Sequence, residues 1–214
     1  NGLFSKYLKN EALIGTIGSA TVGISFVISF AIFLNLLSHP IESPVIVDIY
    51  EWIAAGYFSV NVSYQVDQLS ILYAMIVTGV GFLIHIYSIG YMHNDRGFGR
   101  FFAYMNLFIF MMLNLVLSSN FLLTFLGWEG VGLCSYLLIG FWYDRKFEGV
   151  RIKWTGDAAN KAFIVNRIGD FGFLIAMFLI YLNFGTLQYT DLHSTLAANT
   201  TLYSSQGIIT AIIL

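Results

Sequence analysis

The chain has 214 residues, of which 57% are hydrophobic and only 10% charged, and its formal net charge is −2. Soluble domains carry about 25% charged residues, so this chain has too few to cover a water-facing surface. The composition excludes a soluble enzyme, a disordered chain and a nucleic-acid binder, and a single cysteine excludes a disulfide scaffold. It predicts an integral membrane protein.

Stretches without Asp, Glu, Lys or Arg predict the membrane spans, since a spanning helix needs about 20 apolar residues. The run 101–143 has one charge, Glu129, and is too long for one helix, so we place a break at 118–120. Backbone groups in hydrocarbon must pair within each span, which predicts an all-α polytopic fold with five complete helices and part of a sixth. The predicted spans are 13–37, 69–92, 101–117, 119–143, 160–184 and a truncated 207–214.

The two ends of the sequence indicate an internal fragment of a longer membrane protein. The chain begins at Asn1 rather than Met, and the apolar run 207–214 is too short to cross a bilayer. We expect residues 1–214 to form a single membrane domain.

The connection 38–66 differs from the rest of the chain. It contains both prolines, and apolar and polar residues alternate from Phe58 to Val66. Alternation with a period of two is typical of a strand. We therefore predict an extracytoplasmic loop with a β-hairpin lying on the membrane surface.

The basic residues predict the orientation. They fall before the first span and in every second connection, whereas the connections 38–68, 118–120 and 185–206 contain no Lys or Arg. Basic residues are retained on the cytoplasmic side, so every second connection is predicted to face inward. We expect a multi-pass protein of a bacterial inner membrane. A mitochondrial inner membrane, with the matrix as the inside, is the alternative.

Glu129 is the most informative charge, because an ionisable group near the bilayer centre is costly. Counting from the predicted start of its helix, Glu129 lies ~15 Å deep in a core of ~30 Å. Such a carboxyl group can take up and release protons. The alternative is a structural carboxyl that joins two helices by hydrogen bonds.

Three more charges fall in the first half of the fifth span. Arg167 and Asp170 are three residues apart, so they share a helix face and can pair. They are candidates for a proton path, or form a static ion pair that fixes two helices. Lys161 is a candidate for the same path, or extends to the interface.

Other residue types suggest no further chemistry. Asp67 is placed to cap the second helix. His85 and His93 have no companions at metal-ligand spacing, so no metal site is predicted and their roles stay open. No catalytic triad or nucleotide-binding motif supports chemistry on an organic substrate.

The run 125–143 reads FLGWEGVGLCSYLLIGFWY and closely resembles subunit 5, or chain L, of the proton-pumping NADH–quinone oxidoreductase (respiratory complex I). The resemblance covers most of the chain after about residue 59. Further matches are VDQLS at 66–70, YSIGYM at 87–92, FFAY at 101–104 and KAFIVNRIGD at 161–170.

This resemblance implies an antiporter-like fold of about fourteen helices with inverted repeats. It implies that Glu129 pairs with a lysine on a later helix, in a hydrated path that also involves Arg167 and Asp170. It also implies that no cofactor binds this chain, because NADH, FMN, iron–sulfur clusters and quinone belong to partner subunits. The expected partners are other membrane-arm subunits, lipid, water and protons, and no nucleic acid.

Two other functions share much of this pattern. The first is the large subunit of a multisubunit Na⁺/H⁺ antiporter, which uses an ion gradient instead of redox energy. The second is a passive membrane scaffold, in which Glu129, Arg167 and Asp170 only hold helices together.

Overall fold

The computed structural model describes residues 10–56, 58–147, 150–151 and 154–198. Within these residues, five helices are long and apolar enough to cross a membrane, which confirms the predicted number of complete spans. The predicted sixth span, 207–214, lies outside the described residues. The five helices are α1 (Glu11–Ser38), α2 (Gln68–Tyr91), α3 (Phe98–Leu117), α4 (Phe121–Ile139) and α5 (Trp154–Phe184).

Polar side chains cap the first turns of α1, α2 and α4. Asn10 accepts from the backbone N–H of Ala12 (3.0 Å) at the start of α1. Asp67 caps α2 in a reciprocal capping box with Ser70, which confirms the predicted cap. Burial alone would raise the pKa of Asp67, but hydrogen bonds from the Ser70 N–H and the Gln65 side chain outweigh it and lower the pKa. The capping carboxylate is therefore ionised at neutral pH.

The connection between α1 and α2 forms an antiparallel hairpin. Strand β1 (Val45–Ala55) pairs with β2 (Phe58–Val66), with register irregularities in β1. Almost all of β1 is exposed, whereas Val60, Val62 and Ser63 of β2 are buried. The hairpin therefore rests on the helices through β2.

Helix α5 is longer than its predicted span. It begins at Trp154 rather than at residue 160, and the charges Asp157 and Lys161 lie within its first turns. A charge ends a hydrophobic run but does not end a helix, and an acidic residue in the first turn is favourable there. Two further elements were not predicted. They are a short helix, α6 (Tyr189–Ala198), and a two-stranded ribbon, β3 (Lys146–Phe147) with β4 (Val150–Arg151).

The connections without Lys or Arg meet at one end of the helices. The hydroxyls of Ser63 and Ser119 are hydrogen bonded, and Asn120 Nδ2 donates to the carbonyl of Asn61 at 3.0 Å. The N–H of Phe121 donates to the carbonyl of Leu187 at 3.1 Å. These bonds join β2, the α3–α4 break and the chain after α5.

Basic connections meet at the opposite end. The carboxylate of Glu11 accepts from His93 Nδ1 at 3.1 Å, which joins the start of α1 to the α2–α3 connection. Asp95 forms an ion pair with Arg145 and accepts from Trp142 Nε1 at 3.2 Å. Following the positive-inside rule, we refer to this end as cytoplasmic.

Helices α3 and α4 approach each other closely through glycine. A Cβ atom added at Gly127 would lie 2.6 Å from the backbone nitrogen of Leu115, and one added at Gly130 would overlap the Met111 side chain. A Cβ added at Gly132 would meet its nearest atom at 3.7 Å. Gly127 and Gly130 thus allow a backbone approach that α4 needs in order to present residue 129 on its other side.

Candidate functional site

An ion pair joins the two helices that carry the predicted site residues. Glu129 lies near the middle of α4 and its carboxylate contacts the guanidinium of Arg167, near the middle of α5. Both residues are far from the ends of their helices. Glu129, for example, lies about 12 Å along the helix axis from Phe121, the first residue of α4. The spacing along α5 predicts that Arg167 can pair with Asp170, and the structure gives Arg167 a closer partner in Glu129.

Asp170 completes the cluster on α5. Its Oδ1 accepts a hydrogen bond from Trp128 Nε1 at 2.8 Å, and its Oδ2 lies 3.9 Å from Arg167 Nε. Asp170 therefore interacts with a side chain of α4 and with its neighbour one turn earlier. Trp128, Glu129, Arg167 and Asp170 form one network, which we call the α4–α5 cluster.

Burial differs within the cluster. The side chain of Asp170 is 6% exposed and that of Glu129 is 17% exposed, whereas that of Arg167 is 44% exposed. The Arg167 guanidinium lies 4.5 Å from the centre of the Phe163 ring, a cation–π arrangement. The carboxylates are held between the helices, and the guanidinium reaches outward from them.

Lys161 does not join the cluster. It lies on α5, almost two turns before Arg167, and is exposed. Among the described residues it has no ion-pair partner. No ion pair within the described part of the chain links Lys161 to the other three candidates, so its place in a proton path stays a prediction.

Trp128 joins the cluster through Asp170, although it is not among the predicted site residues. Its signal was available, because an indole N–H inside a membrane span needs an acceptor and Trp128 directly precedes the charged residue of that span. The interhelical partner could not be read from spacing, since it depends on how α4 rotates against α5.

The cluster combines one fixed charge with two exchangeable ones. Arginine stays protonated, whereas a carboxylate can bind a proton when its cationic partner moves away in a medium of low polarity. Arg167 contacts Glu129 and lies near Asp170, so a small displacement changes which carboxylate it neutralises. This arrangement can exchange protons but contains no nucleophile–base pair.

Two further observations concern metals and histidines. Among the described residues, no group of three or more His, Cys, Asp or Glu side chains could hold a metal ion. His85 is fully buried in α2, where its Nδ1 lies 2.7 Å from the carbonyl oxygen of Gly81. His93 is exposed and contacts Glu11 at the cytoplasmic end.

Two family profiles match the chain. Residues 52–102 match the family described as NADH-ubiquinone oxidoreductase (complex I), chain 5 N-terminus. Residues 118–214 match the transmembrane family of NADH:quinone oxidoreductase and Mrp antiporter. The second match contains the whole α4–α5 cluster.

Curated relatives agree with these profiles. The chain is 41% identical over 197 residues to NADH-quinone oxidoreductase subunit L of Mycobacterium tuberculosis, covering 92% of this chain and 29% of that protein. It is 44% identical over 190 residues to subunit L of Pseudomonas aeruginosa and 41% identical over 190 residues to that of Escherichia coli, covering 88% of this chain and 30% of each. The chain thus spans less than a third of the length of these relatives.

Solved structures support the fold. A chain of the membrane-bound sulfane sulfur reductase, an archaeal respiratory membrane complex, matches with a TM-score of 0.76 at 18% identity, covering 99% of this chain and 40% of that one. A chain of the Mrp complex from Dietzia sp. DQ12-45-1b matches with a TM-score of 0.62 at 23% identity, covering 85% and 20%. At these identities the likeness concerns the fold alone.

The apolar helices and the bacterial relatives agree with a multi-pass protein of a bacterial inner membrane. The two profiles match residues 52–102 and 118–214, and the relatives match the chain over most of its length. The chain belongs to the subunit L (chain 5) family of NADH–quinone oxidoreductase.

Proposed function

We propose that this chain is part of a proton-translocating membrane-arm subunit of NADH–quinone oxidoreductase. The observation that carries this proposal is the α4–α5 cluster, in which Glu129 contacts Arg167 within the membrane-spanning region. An intramembrane ionisable residue is by default a functional one, and here the cluster contains three charges. The relatives of the chain are subunits of NADH-quinone oxidoreductase, so NADH oxidation and quinone reduction would provide the energy for proton transfer.

Proton transfer would follow from a shift of Arg167 between its two carboxylate neighbours. While Arg167 neutralises Glu129, that carboxylate is stable without a proton. When the guanidinium moves toward Asp170, which is already only 3.9 Å away, Glu129 loses its counter-charge and binds a proton. The reverse movement releases the proton, and asymmetric access to the two sides of the membrane makes the transfer directional.

The half-exposed guanidinium favours polar surroundings for the cluster. A charged group facing lipid near the bilayer centre is unfavourable, and such groups face protein or a water-filled cavity instead. We therefore infer that Arg167 faces water or a polar group of the same complex. Lys161 lies cytoplasmic to Arg167 on the same helix, so it would stand nearer the entrance of such a path than the cluster does.

We also propose that redox chemistry takes place in other subunits. NADH, FMN, iron–sulfur clusters and quinone would bind there, and the electrostatic change would reach this chain through its contacts with other membrane-arm subunits.

A Na⁺/H⁺ antiporter subunit is the second candidate. The profile over residues 118–214 covers both families, and the Mrp complex shares the fold. The two functions differ in their energy source. An antiporter would acidify vesicles in response to a Na⁺ gradient without NADH, whereas the leading proposal requires NADH oxidation.

The test is Glu129→Gln in the complete complex, compared with Glu51→Gln, which changes an exposed carboxyl on strand β1. We expect Glu129→Gln to lower NADH-driven acidification of inverted vesicles at least severalfold while the complex assembles, and Glu51→Gln to leave it unchanged. A Na⁺ gradient should produce no pH change in the wild type. Unchanged acidification in Glu129→Gln would favour the scaffold, and a Na⁺-driven response would favour the antiporter.

A further inference from the structure

The cytoplasmic end contains a polar cavity that the proposed function does not use. It has a volume of about 450 Å³ and lies between the α2–α3 connection and the end of α4. Three arginines and a tryptophan line it, namely Arg96, Arg100, Arg145 and Trp142. Arginine at a membrane interface next to tryptophan is a combination that suits a phosphate group at the level of the lipid headgroups.

The charges in this cavity do not cancel. Asp95 forms an ion pair with Arg145. Asp144 also lines the cavity, so three arginines face two carboxylates. Neither Arg96 nor Arg100 has a carboxylate partner among the described residues, which leaves two guanidinium groups for an anion.

Arg100 is held in place but keeps free donors. Its guanidinium lies 4.8 Å from the centre of the Phe141 ring, and Nη2 donates to the Phe141 carbonyl at 3.3 Å. Its Nε is buried and has no partner within the described part of the chain. A guanidinium has five N–H donors, and among the described residues only one of those of Arg100 is used, in the long bond to the Phe141 carbonyl. The remaining donors can bind two oxygens of a phosphate.

A second cavity makes the pair amphipathic. It has a volume of about 230 Å³ and is lined mainly by apolar and aromatic side chains, among them Tyr104, Leu137 and Ala159. Arg100 lines both cavities. A headgroup cavity thus adjoins an apolar groove at one arginine, which is the arrangement that a phospholipid requires and a free phosphate ion does not.

We propose that this end binds an anionic phospholipid of the cytoplasmic leaflet. The phosphate contacts Arg96 and Arg100, and Trp142 flanks the headgroup. The start of an acyl chain occupies the apolar cavity beside Leu137 and Tyr143. Anionic lipids are favoured over zwitterionic ones because three arginines outnumber two carboxylates in the lining, which leaves a net positive charge in the cavity. The lipid would anchor the ends of α3 and α4 to the membrane surface.

The test uses the complete complex in detergent, stripped of lipid and then incubated with a photoactivatable phosphatidylglycerol. We expect labelling within residues 94–100 and 141–145, and excess phosphatidylglycerol should compete with it. The primary variant is Arg96→Gln, because this side chain is exposed and forms no ion pair with the described residues that its loss would break. Labelling should fall about fivefold, the change that corresponds to about 1 kcal/mol for one basic residue at an anionic surface.

Arg96→Lys is the matched control, because it keeps the charge and should retain most of the labelling. Equal labelling in the wild type and Arg96→Gln would overturn the proposal. Equal competition by phosphatidylcholine would show that the headgroup charge is not recognised and would also overturn it. Displacement of the probe by inorganic phosphate alone would identify an ion site without a lipid and would overturn it too.

Discussion

Each charged group of the α4–α5 cluster has a partner on the opposite helix or one turn away. Glu129 contacts Arg167, and Asp170 accepts from the indole of Trp128 at 2.8 Å. Removing one member of such a set leaves another charge without its partner, which costs more than the pair itself contributes. We therefore expect a substitution at one residue of the cluster to change the interactions of the other three.

The Trp128→Phe variant separates positioning from helix packing. It keeps an aromatic ring but removes the hydrogen bond to Asp170, and a hydrogen bond to a charged group contributes about 1.5–3 kcal/mol. We expect NADH-driven proton pumping to fall severalfold while the assembled complex remains abundant. The control is Trp154→Phe, since Trp154 is 82% exposed at the start of α5. Equal pumping in the two variants would contradict a positioning role for the indole.

Charges were predictable from the sequence and their pairing was not. Glu129, Arg167 and Asp170 stand out because they interrupt apolar runs, and the structure brings these three together. Spacing along α5 favoured an Arg167–Asp170 pair, but the rotation of α4 against α5 decides which carboxylate lies closest to the guanidinium. Lys161 met the same sequence criterion and lies outside the cluster, because depth in a span does not specify which way a side chain faces.

At the scale of helices, α4 is positioned by glycine on one side and by the cluster on the other. Gly127→Ala places a Cβ atom 2.6 Å from the Leu115 nitrogen, and that neighbour is backbone and cannot rotate away. Overpacking of this kind costs about 1–3 kcal/mol. We expect less assembled complex on native gels and a lower thermal midpoint, whereas Gly132→Ala, with 3.7 Å of space, should resemble the wild type. A Gly127→Ala complex as stable as Gly132→Ala would refute the close approach of α3 and α4.

The break between α3 and α4 depends on Asn120, which is fully buried. Its Oδ1 accepts from the N–H of Leu123 at 2.9 Å and caps α4, while its Nδ2 donates to the carbonyl of Asn61 on β2. Asn120→Ala should lower stability by about 1 kcal/mol for the cap and by a further 0.5–1.5 kcal/mol for the lost hydrogen bond to the Asn61 carbonyl.

Asn120→Asp separates these two contributions, because it keeps the cap and removes the donor to Asn61. We expect its thermal midpoint, measured on the purified complex, to lie below that of the wild type. Equal midpoints for all three proteins would show that the hairpin is not held by Asn120.

Element boundaries show where hydropathy fails. The break at 118–120 was visible because three small polar residues interrupt an apolar run, and Asn120 is a strong capping residue. The start of α5 was missed because the helix continues through Asp157 into the polar interface. Helix α6 was missed because many of its residues are polar and because the helix, with 10 residues, is too short for a hydropathy criterion to detect.

At the scale of the whole molecule, the two ends of the bundle have different chemistry. One end joins hydroxyl and amide side chains of β2, the α3–α4 break and the segment after α5, without Lys or Arg. The other end joins arginines, carboxylates and tryptophan. This asymmetry agrees with the orientation that the basic residues predict, and the α4–α5 cluster lies between a polar end and a basic end.

The central claim is that Glu129 and Arg167 act as one unit in proton translocation. The direct measurement is the number of protons moved per NADH oxidised in proteoliposomes that contain the complete complex, for Glu129→Gln, Arg167→Gln and the double variant. The account predicts that each single variant lowers this ratio and that the double variant is no worse than the more severe single one. A ratio in Glu129→Gln equal to that of the wild type, or losses that simply add in the double variant, would contradict it.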